Sequence, residues 1–251
     1  MAFDVGWVRF RLPGREIVWF DAIDSTMHEA ARRAAAGATN GTVIGAEEQT
    51  AGRGRLGRKW HSEKASGLYF SVVLRLGCPP DSLPVVTLAL GLAAQDAILQ
   101  TAGIACDLRW PNDVLIESKK CAGILVQLHD SAVIAGIGVN INHASFPDEI
   151  AAQATSLRAA TGREHAREPL LVSLLQSIDS FCGLLVAEGK EPILEMFSRA
   201  SSYVHGRRVI VDQGDAVLQG VTEGLDPSGF LVLRKDDGTP SIILAGGVRP
   251  A

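Results

Sequence analysis

Between Thr50 and Trp60 the chain reads TAGRGRLGRKW, which places Arg53, Arg55, Arg58 and Lys59 among three glycines. The segment has no helical or strand period, and its glycines leave the backbone free to bend. Four cations on a pliable loop need an anion or water. Arginine grips phosphate oxygens through two parallel hydrogen bonds, so a nucleotide is a fitting guest. A solvated basic turn accounts for the same residues. A second group opens the stretch KKCAGILVQ, where Lys120 stands at the mouth of a strand and Gly123 removes bulk beside it. Lysines on a solvated hairpin turn are the competing reading. A third group is GIGVNIN, residues 136–142. Its glycine spacing suggests close packing, and Asn140 is polar within an apolar run; a strand-end asparagine that caps a turn fits equally well. This is not a dinucleotide fingerprint, because the third glycine and the following helix are missing.

The elements that must position these groups follow from pattern. Residues 16–20 (EIVWF) read as a strand. Thr26 with Glu29 three residues later reads as a capping box that opens an alanine-rich helix to Gly37. A strand with Val43 and Ile44 leads to Glu47, Glu48 and Gln49. Residues 67–76 are strongly strand-like. Pro84 opens a buried helix that ends near Gly103. Residues 104–110 alternate as a half-buried strand, and Trp110-Pro111-Asn112-Asp113 breaks it. Residues 114–116, 121–128 and 132–141 then form strands too closely spaced for crossover helices, which predicts an antiparallel meander. Helices opened by Pro169 and Pro192 follow. From Gly206 to Ala245 short β segments alternate with Gly, Asp and Pro, as in a small SH3-type barrel. The fold expected is α+β: a mixed, mostly antiparallel sheet with helices on one face over residues 1–204, then a small β domain over 205–251.

The totals bound the function. In 251 residues, 47% are hydrophobic and 21% charged, so a sizeable core is available. A net charge of −4 argues against a genome-binding surface. Cys78, Cys106, Cys121 and Cys182 are scattered without a CxxC pair, so neither a zinc site nor a disulfide framework is expected. The start carries Asp4 and no long apolar run, unlike a signal peptide. The most apolar stretch, residues 85–98, is short for a bilayer and carries Gln95 and Asp96. A cytoplasmic protein without membrane attachment is expected.

Taken together, GRGRLGRKW, WPND, KCAGIL beginning seven residues past Asp113, and GIGVNIN resemble, in this order and spacing, the biotin–protein ligases. The resemblance runs from about residue 17 to 249. It implies a catalytic domain like that of class II aminoacyl-tRNA synthetases and lipoate ligases, followed by an SH3-like domain. It also implies a two-step reaction with ATP, biotin and Mg2+ as cofactors. Biotin is activated to biotinyl-5′-AMP, then transferred to a lysine of a biotin carboxyl carrier protein of a carboxylase. Carried over by position, Ser25, Thr26, Gln49, Arg53, Gly54, Arg55, Lys120 and Gly123 would bind biotin. Arg53, Arg55, Arg58, Trp60, Asn112, Lys120 and Asn140 would bind the nucleotide. Lys120, Arg55 and Asp113 would act in catalysis, with Asp113 near the metal carried by the ATP phosphates. The arginine loop would close over the adenylate. One position departs from the pattern: Ser25-Thr26-Met27 stands where the family usually has Ser-Thr-Asn, and a thioether is a poor hydrogen-bonding group. The chain leaves no room for the N-terminal helix-turn-helix of the repressing members, so no DNA binding is expected. A homodimer through sheet edges is left open.

Two rivals remain at this stage. A lipoate ligase or octanoyl transferase shares the fold, and the transferases use a cysteine nucleophile; Cys121 adjoins Lys120, although on a strand it points to the opposite face. A non-catalytic module that holds biotin or its adenylate is the other.

Overall fold

A computed structural model describes residues 3–214 and 216–251. Its larger sheet contains β1 (Ile17–Phe20), β2 (Val43–Ala46), β3 (Gly67–Leu74), β4 (Asp107–Arg109), β5 (Asp113–Ile116), β6 (Lys119–His129) and β7 (Ala132–Asn140). Their spatial order is β1-β2-β3-β7-β6-β5-β4. β1 and β2 pair in parallel and every other pair in this sheet is antiparallel, so the meander expected from the short turns is present. A second sheet holds β8 (His205–Asp212), β9 (Val217–Leu225), β10 (Leu231–Lys235), β11 (Pro240–Ile243) and β12 (Gly247–Pro250), ordered β11-β10-β9-β8-β12.

Alternation along the strands divides the large sheet into two faces. Val43, Val72, Val133 and Ala135 join the main core, whereas their neighbours Ile44, Val73 and Ile134 join a smaller one. Two helices, α3 (Leu83–Ala102) and α6 (Arg167–Glu188), pack on the first face and on each other, with the short α4 (Asp148–Ala151) and α5 (Leu157–Thr161) between them in the chain. The opposite face receives α2 (Thr26–Ala35) through Met27, Ala30 and Ala34. Helices therefore cover both faces, not one as expected: the wide apolar sheet has two sides to bury. The main core runs on without a break into Val209, Val211, Leu231 and Leu233 of the second sheet.

Several expectations are corrected. α3 is 20 residues long, and both α3 and α6 are long and apolar enough to cross a membrane, but most of each is buried inside the protein. The capping box is not formed. Ser25 is the N-cap and makes no side-chain cap bond, Thr26 turns to Gln49, and Glu29 pairs with Arg32 and Arg33. Only Asp107–Arg109 of the stretch 104–110 is strand, because Gln95 draws the Cys106 carbonyl toward α3 at 2.6 Å. The N-terminus holds an unforeseen helix, α1 (Val5–Arg11), capped by the Asp4 carboxylate on the Trp7 amide. Its signal was Asp4 itself.

Candidate active site

The site lies on the α2 face, over a group of three glycines in the sheet. Gly123, Gly136 and Gly138 are neighbours across β6 and β7 and all open toward this face. Each is pressed by a larger group. Met27 covers Gly136, where a Cβ would stand 2.7 Å from its sulfur. The Trp60 indole lies on Gly138 so closely that any side chain there would overlap it. Lys120 and Trp60 share the space over Gly123. The glycine spacing of GIGVNIN is therefore the floor of a cavity.

How Lys120 reaches this face depends on a bulge. Simple alternation puts Lys120 and Gly123, three residues apart, on opposite faces. The register between β5 and β6 slips by one residue, Val114 pairing with Ala122 but Leu115 with Lys120. Cys121 is the extra residue. Both it and Ala122 enter the core, and Lys120 swings to the cavity. Cys121 thus points away from Lys120, as expected. Contact with Cys106 and full burial push its thiol well above the usual value, which removes it as a nucleophile.

Residues 52–60 form a small hairpin. Arg53 bridges Lys59, the Gly54 amide donates to Arg58 at 2.7 Å and the Trp60 amide to Gly52 at 3.0 Å. Leu56 (φ 56) and Gly57 (φ 71) make the reverse turn, both left-handed, and Leu56 is exposed. This order places the three arginines differently. Arg53 and Arg55 face the glycine floor; Arg58 reaches toward Asp212 of β8 at 4.0 Å. Arg55 donates to the Asn112 Oδ1 at 3.1 Å, and Asn112 is pinned by donating its amide to the Ile124 carbonyl at 2.9 Å. Burial lowers the Arg55 guanidinium from its usual value, with Asp113 acting against that.

Two cavities meet here. The first is lined by Ser25, Thr26, Met27, Gln49, Arg53 and the glycine floor. Its polar wall is a chain of bonds: Gln49 Oε1 accepts from the Thr26 amide and hydroxyl at 2.9 and 3.0 Å, and the Thr26 and Ser71 hydroxyls lie 2.8 Å apart. The second lies between the hairpin, Asn140, Phe146 and the turn at Gly246 and Gly247. Gly54, Arg55, Trp60, Asn112 and Lys120 border both. Lys120 is thus at the junction, ion-paired to Asp113 Oδ1 and 5.3 Å from the Trp60 ring centre. Asp113 Oδ2 takes Arg109 at 2.6 Å. Burial opposes the Asp113 charge, but Lys120 and Arg109 outweigh it and hold the carboxyl below the ordinary range. Asn140 borders the second cavity, but its amide nitrogen donates to the Thr155 carbonyl at 3.1 Å.

Every residue that the family resemblance assigned to biotin, nucleotide or catalysis borders one cavity or the other, whereas Cys121 lies in the core. Missed were Arg109, which shares Asp113, and the group Phe146, Ile150, Gln153 and Ala154. Arg109 alternates with Leu108 on a strand and was legible only as an outward face. The others fall in a stretch with no periodic signal, and the helix that carries Ile150, Asp148–Ala151, is only four residues long.

Residues 19–142 match the biotin/lipoate A/B protein ligase family, and residues 204–248 match the biotin protein ligase C-terminal domain. The chain is 34% identical over 239 residues to the bifunctional ligase/repressor BirA of Bacillus spizizenii, covering 92% of this chain and 73% of that protein. It is 33% identical over 229 residues to the biotin–[acetyl-CoA-carboxylase] ligase of Mycobacterium tuberculosis, covering 89% and 84%. The solved structure of the biotin protein ligase from Aquifex aeolicus in complex with biotin and ATP superposes with a TM-score of 0.83 at 31% identity, over 94% of this chain and 99% of that one.

Proposed function

The chain belongs to the biotin–protein ligase family, and from that premise we propose how its residues carry an ATP-dependent biotinylation. The observation that carries the reading is the position of Lys120 where two cavities join. The first cavity takes biotin, with the Ser25–Thr26–Gln49 wall on its ring. The second takes ATP, with Arg58, Trp60, Asn112 and Asn140 around it. The biotin carboxylate and the α-phosphate then meet beside Lys120 and Arg55. An oxygen of the carboxylate attacks the α-phosphorus, pyrophosphate leaves, and biotinyl-5′-AMP remains. Negative charge grows on the phosphoryl oxygens, and cations already fixed in place stabilise it without reorganising. In the second step a carrier lysine amine attacks the acyl carbon, AMP leaves and the biotinyl amide forms. The carrier is a biotin carboxyl carrier protein of a carboxylase.

Asp113 serves in this reading as the charge partner that aims Lys120. Its carboxyl, held below the ordinary range, is a weak base for the incoming lysine. Both its oxygens face cations, and it is the one carboxylate bordering the cavities among the described residues. These residues do not form a Mg2+ ligand set, so Mg2+ would be held by the nucleotide phosphates, whose charge it would offset. We assign residues 1–204 to the reaction and 205–251 to a domain that closes the nucleotide side through Gly246 and Gly247. A cytoplasmic setting without DNA contact completes the proposal.

Pyrophosphate exchange into ATP tests it. Biotin should stimulate exchange, whereas lipoate and octanoate should not. Lys120→Ala should slow it by about 100-fold or more, the scale of a lost transition-state charge contact, with a far smaller change in biotin affinity. Equal losses in both would reduce Lys120 to a ligand-positioning group.

A further inference from the structure

Beside the second cavity stands a cluster that the biotinylation reading does not use. His61 and Glu63 follow the arginine hairpin, and His143 follows β7, 80 residues later. One ligand-capable atom from each falls within 4.8 Å of the other two. We propose that His61, Glu63 and His143 form a binding site for a divalent d-block cation of the zinc class.

His143 carries the argument. Its side chain is wholly buried, and its Nδ1 has no hydrogen-bond partner. A buried ring nitrogen without a partner is costly unless something occupies it. The other nitrogen is already fixed. Nε2 lies 2.9 Å from the Tyr69 hydroxyl, and that hydroxyl donates to the Glu63 carbonyl at 3.0 Å. With its proton spent there, the hydroxyl accepts from Nε2–H, which leaves the lone pair on the buried Nδ1 without a partner. An imidazole whose far N–H is held by a neighbour is the usual setting of a metal-bound histidine. Phe146 stacks on the same ring, with centroids 5.1 Å apart and planes at 15°, and fixes its plane.

The rest of the set is available. The His61 ring and the Glu63 carboxylate make no hydrogen bond or salt bridge among the described residues. Glu63 is exposed and His61 half-buried, so both can move the short distance that closes a coordination shell. Two imidazoles and one carboxylate suit zinc in tetrahedral geometry and leave a fourth position for water. The same donors suit neither calcium nor magnesium, which take oxygen ligands. A bound ion ties the trailing leg of the arginine hairpin to the chain after β7. The sequence argued against zinc only through its cysteines, and these three ligands use none.

The test uses the full chain without an affinity tag, stripped by chelator and titrated with Zn2+ in a calorimeter. Co2+ serves as an optical probe in parallel. One equivalent should bind, and Co2+ should show the visible bands of a tetrahedral site without the near-ultraviolet charge transfer that thiolates give. His61→Ala and Glu63→Gln lie toward the surface and should fold normally. Each should weaken Zn2+ binding about tenfold or more, which is about 1.4 kcal/mol. Tyr69→Phe should weaken it by about tenfold through the lost support of His143. Absence of saturable binding, or binding unchanged in His61→Ala or Glu63→Gln, overturns the proposal. So does a thiolate signature.

Discussion

Met27 brings a thioether to the wall where a ligand is read, buried against Gly136 and packed with Ala30, Val73 and Ile134. It contributes shape and no hydrogen bond to a polar ring. Met27→Asn should therefore lower the KM for biotin with little change in kcat, because the gain is made equally in ground and transition states. It should also cost about 1–3 kcal/mol of stability from the lost packing. Steady-state kinetics beside urea unfolding separate the two, and a raised KM would make Met27 a packing residue only. Asp113 gives a pH prediction. Its carboxyl is held low by Lys120 and Arg109 in the folded state, so on acidification the unfolded chain takes the proton first. The stability it supplies is fully present above an ordinary carboxyl value of about 3.9 and is lost as the pH falls through the lower folded value. Asp113→Asn should flatten the decline in stability below about pH 4 and lower the plateau above it. Urea midpoints across that range check it; an unchanged acid limb would sink the assignment.

At the scale of elements, the glycine floor and the bulge decide what the strands can display. β7 presents Gly136 and Gly138 upward while Ala135, Ile137 and Val139 enter the core. Gly138→Ala leaves that core face untouched, yet its methyl collides with the Trp60 indole. The hairpin must then lift. The expected outcome is a loss of at least about tenfold in kcat/KM, since misplacement by about an ångström costs on the order of a hundredfold. Little change in melting temperature should accompany it. Full activity in this variant would show that Trp60 need not rest on the floor. The hairpin itself was expected as a loop without period, and its composition was right for that. Its order comes from the Arg53–Lys59 bridge and a turn that holds Leu56 left-handed, a conformation residues other than glycine seldom adopt.

Across the whole molecule, contacts between distant segments hold the cavities in register. Arg167, at the start of α6, pairs with Glu47 at 2.9 Å, both almost fully buried, and Glu47 also accepts from the Trp19 indole at 2.9 Å. Glu47 leads directly to Gln49, so this pair anchors the wall of the first cavity. Arg167→Ala leaves a buried carboxylate without its cation and should cost about 3–5 kcal/mol. Calorimetry should then show a fall in melting temperature of about 2–4 °C per kcal/mol. A shift under one degree would mean that Glu47 finds another partner. The two sheets are joined in a similar way: the Trp110 indole donates to the Gly229 carbonyl at 2.9 Å, inside one continuous core. β4, at one end of the large sheet, is covered by Ser201 and Ser202, which bond Leu108 and Asp107. Pairing of two copies through that edge would require this cover to move.

The sequence by itself determined the antiparallel meander and the buried helix from Pro84, and the motif resemblance supplied part of the cavity lining. Turn spacing and apolar runs are local, and each motif is legible within its own few residues. It also placed Arg53, Arg55, Lys120 and Gly123 in one chemistry. Only the tertiary structure decided which face each group reaches. A single bulge at Cys121 reverses Lys120, and no pattern of period two foretells a slip of one residue. The same holds for Arg109 on Asp113, Met27 on Gly136, and the meeting of His61 and Glu63 with His143. Each joins segments whose distance along the chain carries no trace of their distance in space.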